Sequence, residues 1–129
     1  MSILPKSTVI SLVAESIKER HILQVIYRHT SDGERVTHNI APFDIGSTNP
    51  RTRARYEETL WAYSYTHIDD KTSRLDPKVC AFNINNFISI DSTGEKFDEN
   101  DLARRNHLRT GYDYRGCNFA LMPDRDWFL

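Results

Sequence analysis

The residues whose chemistry points most directly to binding are three alternating arginines. Arg51, Arg53 and Arg55 stand just before Tyr56, and a further ring follows at Trp61. Guanidinium groups can contact phosphates while rings stack on bases, so this spacing is typical of a surface that binds single-stranded nucleic acid. The same arginines could instead pair with nearby acidic residues on a solvated loop, because surface ion pairs form readily. We predict Arg51, Arg53 and Arg55 as nucleic-acid contacts and keep the solvated loop as the alternative.

The histidines and cysteines form no recognisable catalytic or metal-binding pattern. His29, His38 and His67 fall on or beside predicted strands, where a histidine is more often a surface or hydrogen-bonded residue. The sequence contains no GxSxG motif, no HExxH motif and no glycine-rich phosphate loop. Cys80 and Cys117 form no CxxC pair of the kind that structural zinc sites usually contain. We therefore predict a protein that is not an enzyme and that holds no metal or cofactor.

The length and charge of the chain fit one compact domain. Its 129 residues are 39% hydrophobic and 27% charged, which is ordinary for a globular protein that buries a core. A dedicated nucleic-acid binder usually carries a basic excess, and the formal net charge here is −1. The N-terminal stretch lacks the apolar core of a signal peptide, and no stretch approaches the ~20 apolar residues of a membrane span. We expect a cytoplasmic protein without a membrane partner.

A helix and a β-hairpin are predicted in the first third of the chain. Ser7 can cap a helix over roughly residues 8–20, whose apolar residues recur at helical spacing. The stretch that follows alternates apolar and polar residues, as a strand does. Asp32-Gly33 predicts a hairpin turn. The return strand should end at Pro42, which has no backbone N–H to donate to a ladder.

A third strand is predicted over residues 58–67, where rings alternate with smaller residues. Trp61, Tyr63, Tyr65 and His67 would share one face, because successive side chains of a strand point to opposite faces. A face rich in rings can be the wall of a core or a platform on which a ligand or base stacks. Two further strands, with the sequences VCAFNI and FISI, follow a polar connection, and the turn-forming residues DSTG should close the sheet region.

The predicted fold class is α+β, with an N-terminal helix, about five short antiparallel strands, a short C-terminal helix and an aromatic tail. Short strands that meander with tight turns most readily close into a small barrel. We assign residues 1–97 to the helix and barrel and residues 98–129 to the C-terminal helix, which Asp98 can cap, and the tail. The terminal rings Trp127 and Phe128 would pack on the barrel or form a homodimer contact, in preference to docking a foreign partner.

The order and spacing of these parts resemble the WYL domain family over roughly residues 10–97. The resemblance implies a bacterial module with a five-stranded SH3-type, Sm-like β-barrel. The chain departs from the family pattern at Cys80 and Asn86, where arginines that line the family's ligand groove are expected. The positions that fit the pattern are Tyr27, Arg35, Pro42, Leu60, Ala62, Tyr63, Phe82 and Phe97.

The resemblance also implies a site for a ligand. By family position Tyr27 faces the groove of the barrel, although it could equally be a core tyrosine whose hydroxyl is already hydrogen-bonded. Arg35 is the best remaining cation for an anionic ligand, because a guanidinium fork suits carboxylate and phosphate, or else it is a solvated hairpin residue. Arg28, His38 and Tyr63 complete the predicted ligand site.

The same comparison gives an expectation for the ring-rich strand. Leu60 and Ala62 are the positions expected to fill the barrel interior. Trp61 and Tyr63 then face the opposite side, where helices and tail can cover them. We therefore favour a second core layer over a stacking platform for this face.

The predicted function is that of a stand-alone, non-catalytic WYL-type domain with a regulatory role. It would sense a small anionic or nucleotide-like ligand or bind single-stranded nucleic acid. The stretch before the first predicted strand is too short for the helix-turn-helix domain that usually accompanies such modules. The alternative is an accessory subunit that has no ligand of its own and acts through Trp127, Phe128 and the barrel edge.

Overall fold

One helix and five antiparallel strands make up the fold, which confirms the expected α+β arrangement. The computed structural model describes residues 2–29, 32–45, 58–98 and 101–102. Within these ranges no helix is long and apolar enough to cross a membrane. The elements are helix α1 (Lys6–Glu19) and strands β1 (His21–Arg28), β2 (Arg35–Ile45), β3 (Thr59–Ser64), β4 (Lys78–Asn83) and β5 (Phe87–Lys96).

Helix α1 covers the sheet with one apolar face. It begins directly after Pro5, whose φ of −59° suits entry into a helix, so Ser7 lies in the first turn and does not cap the helix as expected. Val9, Val13 and Ile17 are fully buried. The helix ends at Arg20 in the left-handed region (φ 58°), which turns the chain directly into β1.

The sheet is open, and the expectation of a closed barrel was wrong. The strand order is β4-β3-β2-β1-β5, and among the described strands the two outer ones, β4 and β5, do not pair with each other. A barrel closes only when its outer strands exchange backbone hydrogen bonds. Here the short turn between β4 and β5 is held by other parts of the chain: the Ile84 N–H donates to the Glu58 carbonyl, and the Arg28 N–H donates to the Asn86 carbonyl. The turn therefore carries the chain from one edge of the sheet to the other.

Strand β2 continues through Pro42, where the sequence predicted its end. Pro42 lies opposite Ala62 of β3, and the register between the two strands shifts between Pro42 and Asp44. Such an irregularity accommodates a residue that cannot donate to the ladder. The strand then extends to Ile45, so β2 is long enough to present buried side chains on both faces.

Strand β5 is also longer than predicted, because the residues expected to form a closing turn pair with β1. Ser92 lies opposite Leu23 and Lys96 opposite His21, with a register shift between these two pairs. Gly94, at φ +80°, lies within this irregular part of the strand. The bulge accommodates the turn-forming residues, and β5 still pairs with β1 beyond it.

The buried residues form two clusters, one on each face of the sheet. Leu60 and Ala62 of β3 lie in the first cluster together with the buried face of α1. Trp61 and Tyr63 lie in the second and are 0% and 5% exposed, as expected for a second core layer. The second cluster comprises Ala41, Phe43, Trp61, Tyr63, Val79, Phe97 and Leu102.

The start of the expected C-terminal helix is present. Residues 101–102 are helical, and the Asp98 carboxylate accepts a hydrogen bond from the Asp101 N–H. Leu102 is buried in the second cluster. The remainder of the expected helix and the tail, including Trp127 and Phe128, lie outside the described residues.

A matched pair of leucine substitutions tests this core. Leu60→Ala removes a fully buried side chain from β3 and should lower the free energy of unfolding by about 2–5 kcal/mol, because transfer and cavity costs add. Leu75→Ala makes the same change at a residue that is 63% exposed and should cost no more than about 0.5 kcal/mol. Urea unfolding followed by circular dichroism measures both. Equal losses would contradict the assignment of Leu60 to the core.

Candidate functional site

A groove with a volume of about 220 Å³ opens where the ends of several strands meet. Its walls come from the end of β1, from β2, from the segment after β3 and from β4. We call it the histidine groove, because three imidazoles line it. The lining residues are Tyr27, His29, His38, His67, Cys80, Ala81 and Phe82.

The β1–β2 hairpin places two of these residues on one face of the sheet. Tyr27 lies opposite Val36, so His38, two positions further along β2, points to the same side as Tyr27. The turn itself forms as the Asp-Gly pair predicted: Gly33 has φ +74°, and its N–H donates to the His29 carbonyl.

His67 reaches the groove because β3 ends earlier than predicted. The sequence placed His67 on the same face as Trp61 and Tyr63, but the strand stops at Ser64 and the chain turns. The Asp76 N–H then donates to the His67 carbonyl at 2.7 Å. The turn breaks the strand alternation, so His67 lies on the groove side and not on the ring-rich face.

His38 is the most deeply buried polar side chain of the groove. It is 4% exposed, and its Nδ1 lies 3.0 Å from Ser64 Oγ. Its Nε2 is also buried, and in the described part of the structure this atom has no hydrogen-bond partner. A buried ring nitrogen without a partner is uncommon in native proteins and calls for an explanation.

Aromatic rings form most of the groove wall. The Phe82 ring lies 5.1 Å from Tyr27 and 5.2 Å from His38, measured between ring centroids, and both pairs meet edge to face. His29 lies 5.7 Å from Tyr27 and 6.3 Å from His38 in the same manner. These separations are typical of favourable aromatic pairs, so the wall is a connected set of rings.

Tyr27 combines the two roles that the sequence left open. Its side chain is 6% exposed, and its hydroxyl oxygen accepts a hydrogen bond from the Asn83 N–H at 2.8 Å. The ring lines the groove, but the oxygen is held by the end of β4. The hydroxyl proton is the group that can still donate to a ligand.

The groove carries no permanently charged side chain among its lining residues. Burial, together with the neighbouring imidazoles of His29 and His67, lowers the pKa of His38 from 6.5 to about 4. His38 is therefore neutral at pH 7. The His67 Nδ1 lies 3.0 Å from the Asp76 carbonyl oxygen and 3.7 Å from the Asp76 carboxylate. Within the described ranges, no three His, Cys, Asp or Glu side chains are placed to hold a metal ion.

The other residues of the predicted ligand site, Arg28, Arg35 and Tyr63, do not line this groove. Arg28 and Arg35 are opposite each other on β1 and β2 and follow the strand alternation to the face away from Tyr27, where both are exposed. Tyr63 pairs with Ala41 and is buried in the second cluster. The residues next to Arg28, Arg35 and Tyr63 in the sequence point towards the groove or the first cluster. Adjacent residues of a strand point to opposite faces, so these three side chains point away from the groove. The predicted nucleic-acid contacts Arg51, Arg53 and Arg55 lie outside the described residues.

Sequence reasoning missed five of the groove residues as members of a site: His29, His67, Cys80, Ala81 and Phe82. His29 could have been found, because the hairpin register places it on the same face as Tyr27 and His38. Cys80 and Phe82 share a face of β4 by alternation, but nothing in the sequence shows that the end of β4 contacts Tyr27. His67 depends on the early end of β3, which local pattern does not reveal.

The fold is similar to that of a known bacterial protein. Among solved structures, proteasome accessory factor B/C (PafBC) of Arthrobacter aurescens matches with 16% sequence identity and a TM-score of 0.51. The match covers 88% of this chain and 14% of the PafBC chain. At this identity the likeness shows the fold alone. No family model matches the chain, and no curated protein matches it.

The burial of His38 predicts that the protein is less stable in mild acid. The unfolded chain takes up a proton near pH 6.5, whereas folded His38 resists protonation down to about pH 4. The contribution of His38 to the free energy of unfolding is therefore fully present above about pH 6.5 and decreases as the pH falls towards 4. The total loss should be on the order of 3 kcal/mol.

The measurement is the free energy of unfolding in urea at several pH values between 4 and 7.5, for the natural chain and for His38→Phe. The difference between the two proteins isolates His38 from the other titrating groups. The stability advantage of the natural chain should shrink as the pH falls through this window. A difference that does not change with pH would show that His38 is not held neutral by the fold.

Proposed function

We propose that this chain is a non-catalytic, WYL-type regulatory module that binds a small ligand in the histidine groove. The fold supports this proposal, because PafBC, which shares it, is a WYL-domain-containing regulator. The groove supports it independently, since it combines an apolar ring-lined wall with a few polar atoms, as small-molecule sites usually do. The single observation that carries the proposal is the buried His38 Nε2 without a partner in the described residues.

Binding without catalysis fits the side chains of the groove. Cys80 is the thiol among the described lining residues, and it donates to the Lys78 carbonyl at 3.6 Å. We assign this thiol and the ring nitrogens of the groove to recognition of a ligand and not to nucleophilic catalysis.

The remaining parts of the sequence-based prediction stay proposals beside this one. Three of these parts are compatible with a ligand-sensing module. They are binding of single-stranded nucleic acid through Arg51, Arg53 and Arg55, a homodimer or partner contact through Trp127 and Phe128, and a cytoplasmic location. The residues they name lie outside the described part of the structure, so each is tested separately from the groove.

The proposal is tested by asking which face of the sheet binds small molecules. A library of metabolites, including carboxylates, nucleotides and uncharged rings, is screened by thermal shift and by ligand-observed NMR. Binding of a saturable hit should weaken at least about tenfold in the double variant His29→Ala/Cys80→Leu, which changes the groove wall. It should stay within about twofold in Arg28→Ala/Arg35→Ala, which changes the opposite face.

Two results would contradict the proposal. Loss of binding in the arginine variant but not in the groove variant would place the site on the opposite face. The absence of any saturable binding across the library would remove the ligand-sensing role and favour an accessory subunit.

A further inference from the structure

The atom that most needs explanation is the Nε2 of His38. The other ring nitrogen, Nδ1, lies 3.0 Å from Ser64 Oγ, and the His38 ring lines the groove. Burying this nitrogen without a partner is unfavourable, because the ring gives up its hydrogen bond to water and gains none in return. We expect the hydrogen-bond partner of this nitrogen to be a polar atom of a bound ligand.

The charge of the groove limits what that ligand can be. Among the described residues its lining includes no Arg, Lys, Asp or Glu side chain, and His38 is neutral at pH 7. Arg28 and Arg35 lie on the opposite face of the sheet. An anion in the groove would therefore lose its hydration without gaining a permanent counter-charge, which is unfavourable. An uncharged molecule avoids this penalty.

The shape and surface of the groove limit the ligand further. The rings of Tyr27, Phe82 and His38 meet edge to face around it, and a flat ring adds to such an arrangement with little loss of rotational freedom. The volume of about 220 Å³ is below that of a typical drug-sized pocket, so it suits a molecule of one or two rings.

We infer that the histidine groove binds an uncharged planar molecule of one or two rings whose edge hydrogen-bonds to His38 Nε2. A neutral imidazole offers one donor and one acceptor, so the contacting group is a ring nitrogen, an N–H or a carbonyl. Nε2 is buried, so a ligand that reaches it must displace neighbouring side chains; the half-buried His29 and His67 line the same groove. This inference rests on the proposed function and names the chemical class of the ligand.

Matched pairs of neutral and anionic rings test the inference in the full chain at pH 7.5. Nicotinamide is compared with nicotinate, and uracil with orotate, because the members of each pair share a ring and differ in a carboxylate. Binding is measured by titration of the ¹⁵N-labelled protein, with long-range ¹H–¹⁵N spectra that report the histidine ring nitrogens. At least one neutral member should bind at least about tenfold more tightly than its anionic counterpart and should shift the His38 Nε2 signal.

Two ring-for-ring substitutions complete the test. His38→Phe keeps a flat ring in the wall but removes Nε2, and it should weaken binding of the neutral probe at least about tenfold. His21→Phe makes the same change at a half-buried histidine outside the groove and should leave binding unchanged. If His38→Phe does not fold, the comparison of probes and the Nε2 shift in the natural chain decide the question alone.

The possible failures distinguish this inference from the proposed function. Preferential binding of nicotinate or orotate in the groove would overturn the ligand class while leaving a ligand-binding groove in place. Binding of a neutral probe that leaves the Nε2 signal unmoved would overturn the role of His38. Failure of both neutral probes to bind would also overturn the inference, whereas the proposed function fails only if the whole metabolite library gives no saturable binding.

Discussion

The hydrogen bond from the Asn83 N–H to the Tyr27 hydroxyl joins two strands that are not neighbours in the sheet. Tyr27 stands near the end of the inner strand β1, and Asn83 ends the outer strand β4. Phe82, next to Asn83, packs against both Tyr27 and His38. The sheet does not close into a barrel, and this contact, with the rings around it, links the end of β4 to the end of β1. The groove lies where the ends of β1 and β4 come into contact.

A second constraint is that strands β2 and β3 bury side chains on both faces. Their alternating residues divide between two clusters, with Leu60 on one side and Trp61 on the other. A sheet covered on both faces fixes its register strongly, because a slip of one residue would exchange the two sets of side chains. That fixed register is what keeps His38 on the groove side, within reach of Ser64 of β3. The packing of the core and the geometry of the groove are thus set by the same alternation.

The parts that the sequence could predict are those governed by neighbouring residues. The helix follows from the spacing of Val13, Ala14 and Ile17, and the hairpin follows from Asp32 and Gly33. The two faces of β3 follow from alternation, together with the family comparison that set Leu60 and Ala62 inside. Each of these depends on a period or a turn that is local in the chain.

The parts that the sequence could not predict depend on contacts between distant residues. Closure of the sheet was expected, but the turn after β4 is tied to Glu58 and Arg28 and leads β5 to the other edge. Arg35 and Tyr27 were assigned to one site because both fit a family pattern, yet the β1–β2 register puts them on opposite faces. His67 reached the groove only because β3 ended at Ser64. Family position identified Tyr27, and only the three-dimensional register showed which residues accompany it.

The hydrogen bond between Tyr27 and Asn83 holds the wall of the groove in place. Amide hydrogen exchange at Asn83, measured by NMR in the natural chain and in Tyr27→Phe, tests this role of the tyrosine hydroxyl. We predict a protected amide in the natural chain and exchange at least about tenfold faster in the variant, with amides in the middle of β3 unchanged. Equal protection of Asn83 in both proteins would overturn this role, because β4 would then be held in place without the tyrosine hydroxyl.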